Sequence, residues 1–214
     1  MPQPVFDIVG ASVLFRALPY AVKTCKKSID DIVKNKCVAG DRFGLVGFAN
    51  DVKVEIPMEA KTPSTEARMV KAIDELATRG ETAFYSGVLE GINALTPQTD
   101  LDVDLTRKWV VAITDGIDNR SKAGDLEKVM QVLKTTPKLN LALITVGNDK
   151  SVAEWVETGA EAAFDKLTAA ANEGSEALRK EGLRFVAKDG DQISAAFDEI
   201  ASKLAFVPTV AGAE

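Results

Sequence analysis

The sequence contains no histidine in its 214 residues. That excludes Ser-His-Asp triads, histidine general acids and bases, and histidine metal ligands. Cysteine is nearly as scarce. Cys25 and Cys37 are the only two, and they lie on or beside one predicted helix, where pairing is geometrically awkward. A secreted domain held by disulfides would carry more. The two therefore read as free, part-buried thiols, and the expected compartment is the cytoplasm. No apolar run approaches the ~20 residues of a membrane span, and residues 1–10 lack the basic start and apolar stretch of a secretory signal. No membrane insertion is expected. Basic charge is also in deficit: 26 Lys and Arg stand against 32 Asp and Glu, a net charge of −6. That balance argues against a phosphate-backbone partner, so nucleic-acid binding is not expected. Three catalytic or nucleotide signatures are missing as well: a Walker A loop, a Gly-x-Ser-x-Gly elbow and a Gly-x-Gly-x-x-Gly after the first strand.

What is present is an ordinary globular composition, 46% hydrophobic and 27% charged, with no Pro/Gly/Ser-rich linker. The expectation is one domain over residues 1–206 and a fraying tail over 207–214. Val5 to Val9 reads as a buried strand that stops near Gly10. Val22, Cys25, Ile29 and Ile32 recur at helical spacing. Arg42 to Ala49, then Asn50-Asp51, then an alternating Val52 to Pro57 predict a hairpin, with its second strand at a sheet edge. Helices are predicted over about 64–78 and 83–95, and Thr96 to Asp104 reads as an acidic loop. Lys108 to Thr114 and Leu139 to Val146 are nearly all apolar and predict central strands covered on both faces. Asp125 to Thr135 is helical between them. Residues 151–182 predict an extra helical segment, an elongated and solvated pair interrupted at Gly159 and Gly174. Leu183 to Ala187 is a last short strand, followed by a helix marked by Ile193, Ala196, Phe197, Ile200 and Leu204. Strands alternating with helices imply an α/β fold. The expected form is a doubly wound, Rossmann-like, mostly parallel six-stranded sheet with one antiparallel edge strand and helices on both faces.

In such a sheet ligands bind at the carboxyl ends of the strands. Three oxygen donors are candidates there: Asp7 near the end of strand one, Thr82 at the break between two helices, and Asp115 at the end of a central strand. Two carboxylates and a hydroxyl suit a hard cation. Each also has a plain structural use. Asp7 can be a buried acid satisfied by backbone N–H groups, Thr82 a helix cap, and Asp115-Gly116 a turn pair beside the polar Asp118-Asn119.

Three segments together resemble one family. Arg42 to Asp51 (RFGLVGFAND) looks like the second strand of von Willebrand factor A domains. Gly80 to Gly87 (GETAFYSG) looks like their threonine loop, and Val110 to Gly116 (VVAITDG) like their fourth strand and its Asp-Gly. The resemblance implies a metal-ion-dependent adhesion site holding Mg²⁺ or Mn²⁺, with Asp7, Thr82 and Asp115 as its metal residues. It also implies a partner protein that supplies an acidic side chain to the ion. The pattern departs at Asp7-Ile8-Val9-Gly10-Ala11, where Val9 and Ala11 replace the two serines whose hydroxyls bind the ion in the family. Neither can replace those oxygens.

The leading expectation is a non-catalytic adhesion or scaffold module with an incomplete metal site. The alternative is a Mg-dependent hydrolase or phosphotransferase on a doubly wound sheet. A third reading is a structural subunit of a larger assembly. Trp155 and Phe206 are its candidate contacts, although both also fit apolar helix faces.

Overall fold

Alternation along two strands decides the layering. In Arg107–Thr114 (β4), Val110 and Ala112 face one helix layer, while Trp109, Val111 and Ile113 face the other. In Leu139–Val146 (β5), Leu141 and Leu143 share the first face, and Ala142, Ile144 and Val146 the second. Successive side chains of a strand point to opposite faces, so strands apolar at every position need cover on both sides.

The computed structural model describes residues 6–14, 19–76, 81–95, 107–174 and 180–204, with side chains described from Lys23 onward. The remaining elements are β1 (Phe6–Leu14), α1 (Pro19–Asp31), β2 (Arg42–Phe48), β3 (Val52–Ala60), α2 (Pro63–Glu75), α3 (Phe84–Leu95), α4 (Asp125–Thr135), α5 (Asp149–Thr158), α6 (Ala160–Asn172), β6 (Gly182–Ala187) and α7 (Gly190–Leu204). A π-helical turn, Ile32–Lys36, follows α1. The strands form one six-stranded sheet in the order β3-β2-β1-β4-β5-β6. Among the described strands, only β3 runs antiparallel to its neighbour, as the Asn50-Asp51 turn predicts. Helices α3 to α6 cover one face, and α1, α2 and α7 the other.

Local chemistry sets the helix ends. Thr62 and Thr65 form a reciprocal capping box at the start of α2, with Pro63 where a missing N–H costs nothing. Gly159 takes φ +77° and separates α5 from α6. Helix α3 approaches β2 so closely that a Cβ on Gly87 would lie 2.6 Å from the Phe48 ring.

Three expectations change. Strand β1 does not stop at Gly10. That residue sits level with Leu45 and Val111 inside the ladders, and a glycine paired on both sides continues a strand. The described residues of 151–182 do not form an extended solvated pair. Helix α6 packs against α4 and β6, and it buries Phe164, Leu167, Ala170 and Ala171. Trp155 is 1% exposed, stacked edge-on against Phe164, and is a core residue rather than a contact point. Both cysteines are free and buried. Phe206, the 207–214 tail and the loop over 96–104 lie outside the described residues.

Candidate binding site at the carboxyl end of the sheet

Strand β4 delivers Asp115 one residue beyond its last paired position, Thr114. The Thr114 hydroxyl accepts from the Gly116 N–H and donates to the Gly116 carbonyl, both at 3.2 Å, which sets the Asp-Gly turn. The chain then crosses toward the start of α3, and the two segments are laced together. Asn119 Oδ1 accepts from the Thr82 N–H at 2.9 Å. The Thr82 carbonyl in turn accepts from the N–H groups of Asn119 and Arg120 at 3.0 and 3.2 Å. Asp118 Oδ2 accepts from the Tyr85 N–H at 2.9 Å, and Ser121 Oγ from the Ser86 N–H at 2.8 Å. Early amide groups of α3, which have no partner within the helix, are thus capped from a loop more than thirty residues away. Asn50 Oδ1 adds a bond from the Glu81 N–H at 2.8 Å, and Arg120 pairs with Glu81.

The electrostatics follow the same wiring. The Ser86 hydroxyl donates to Asp125 at 2.6 Å. That bond holds the Asp125 carboxyl below its ordinary range against the opposing effect of burial, with Lys128 adding to it. Burial pushes the Tyr85 phenol up to about 12, and Asp118 and Glu127 push the same way. Burial also raises the Cys25 thiol far above its usual value, with the Asp115 charge as the second cause.

Two of the three predicted site residues come together. Thr82 is 8% exposed, and a Cβ on Gly116 would lie 3.1 Å from its hydroxyl, so Thr82 presses on the turn that carries Asp115. Asp115 itself is half-buried. Asp7 does not join them. It sits level with Arg42 and Lys108, at the openings of β2 and β4, whereas Leu14 is the β1 residue level with Thr114. Seven residues at about 3.3 Å each put Asp7 roughly 23 Å from Asp115 along the sheet. Val9 and Ala11, expected at the positions of two metal-binding serines, lie level with Val110 and Ala112 inside the sheet. The residues that follow Leu14 are Phe15, Arg16, Ala17 and Leu18, which carry neither carboxylate nor hydroxyl. Among the described residues no group of three or more Cys, Asp or Glu side chains could hold an ion. Among the described residues, Thr82 and Asp115 stand together without a group of acids that would complete the metal-ion-dependent adhesion site that the resemblance implies.

The residues that build the site, Asn50, Ser86, Asp118, Asn119, Ser121 and Asp125, were legible only as loop polarity. Each side chain is short and polar, but its partner belongs to another segment.

A sequence profile of the von Willebrand factor type A domain matches residues 17–196. No curated protein matches the chain. Among solved structures, it is similar to a von Willebrand factor type A protein from Catenulispora acidiphila, with 16% identity, a TM-score of 0.65, and coverage of 95% of this chain and 43% of that one. The proximal thread matrix protein 1 of the mussel byssus, described with a zinc-occupied adhesion motif, is 18% identical with a TM-score of 0.66 over 95% of this chain and 46% of that one. The PilB minor pilin from Streptococcus sanguinis is 13% identical with a TM-score of 0.71 over 99% and 64%. The chain thus spans less than half the length of the first two. At these identities the likeness is one of fold.

Proposed function

We propose that this chain, which belongs to the von Willebrand factor type A domain family, is a non-catalytic docking module. It engages a partner protein through the loops at the carboxyl end of its sheet, on a surface centred on Thr82 and Asp115. The observation that carries this reading is the lacing of the 115–121 loop to the start of α3 by the chain's own hydrogen bonds. A surface held in place before the partner arrives costs less ordering on binding. That preorganisation needs no resident cation.

A metal-independent mode is supported by the described residues, among which no group of three acids stands ready to hold an ion. It also changes the expected partner. A cation would let an acidic side chain approach. Without one, that side chain would meet Asp115 and Asp118 as like charges, so the reading favours neutral or basic partner groups. A non-catalytic role is supported by the lack of histidine and by two buried thiols that burial keeps protonated. A matrix protein and a pilin among the structural relatives support adhesion or scaffolding. The Mg-dependent hydrolase or phosphotransferase reading calls for acids converging on one ion, and the register separates Asp7 from Asp115.

The test is isothermal titration of Mg²⁺, Mn²⁺ and Zn²⁺ into chelator-treated protein, with Asp115→Ala alongside. The expected result is no saturable heat beyond the ~1 mM range of weak protein cation sites. Saturable binding that Asp115→Ala abolishes would restore the cation and the acidic partner. Photo-crosslinkers at Asn119 and, on the remote helix α6, at Lys166 test the surface itself. Partner capture from position 119 alone is expected, and capture from 166 alone would refute the assignment.

A further inference from the structure

We draw no further inference here: the strongest candidate, the groove of about 510 Å³ between α2 and β3 lined by Lys53, Glu55, Arg68, Lys71 and Glu75, carries charges of both signs on its walls, and nothing in the structure shows what covers it.

Discussion

Removing the Asp118 carboxylate should loosen the proposed docking surface before it unfolds the domain. Asp118 accepts from the Tyr85 N–H at 2.9 Å, from the Ser121 and Arg120 N–H groups at 3.0 and 3.3 Å, and from the Ser121 hydroxyl. One of these is a helix cap worth ~1 kcal/mol. The others tie the loop to that cap, and a bond to a charged acceptor contributes about 1.5–3 kcal/mol when desolvated. Asp118 is only half-buried, so water recovers part of the loss. A total of about 2–3 kcal/mol is expected for Asp118→Ala. For a chain of this size that lowers the melting temperature by roughly 4–12 °C. Asp118→Asn keeps one acceptor oxygen and should recover about half of the loss. Hydrogen exchange locates the effect: the Tyr85 and Ser86 amides should exchange about 30-fold faster or more, while those of β5 change no more than global stability requires. A melting temperature within ~1 °C of the parent would refute the capping argument. So would a uniform change in exchange with no excess at Tyr85 and Ser86.

Gly87→Ala would ordinarily favour a helix, but its Cβ would lie 2.6 Å from a fully buried Phe48, so a loss of about 1–3 kcal/mol is expected in urea unfolding. The Cys37 thiol is raised to about 12 by burial first and Asp41 next, so both thiols should resist a disulfide reagent at pH 8 until the protein unfolds. A folded pKa above the unfolded one means stability fully present below about pH 8.5 that falls as pH rises beyond it; Cys37→Ser should flatten that decline, and an unchanged alkaline slope would count against it. Asp125 has the opposite sign. Its depressed folded pKa contributes stability above about pH 4 that is lost as pH falls. Ser86→Ala removes the largest cause, so an NMR titration should show the Asp125 carboxyl moving upward.

Where the core lies could be read from hydrophobic period alone. Lys108 to Thr114 and Leu139 to Val146 are apolar at nearly every position, and only strands covered on both faces tolerate that pattern. The Asn50-Asp51 turn announced the antiparallel edge, while Thr82 and Asp115 were joined only by the resemblance to von Willebrand factor A domains. Asp7 was misplaced because Gly10 resembles a strand terminator. Whether a glycine ends a strand depends on the chains beside it, and Leu45 and Val111 lie 35 and 101 residues further on. The helices at 149–172 looked solvated because their exposed faces are rich in Glu and Lys. Their burial depends on α4 and β6, whose positions follow from strand order.

By itself, then, the sequence determined the periodic quantities: which segments are strands or helices, which faces are apolar, and where tight turns fall. Those depend on interactions within a few residues. Tertiary structure alone decided the level of each strand against its neighbours, and with it that Asp7 and Asp115 stand at opposite ends of the sheet. It alone decided that Asp118, Asn119 and Ser121 cap a distant helix, and that Asn172 closes one end of the β6 edge. Register and long-range capping are set by how whole layers pack, and a single strand or loop carries no record of the partner it will meet.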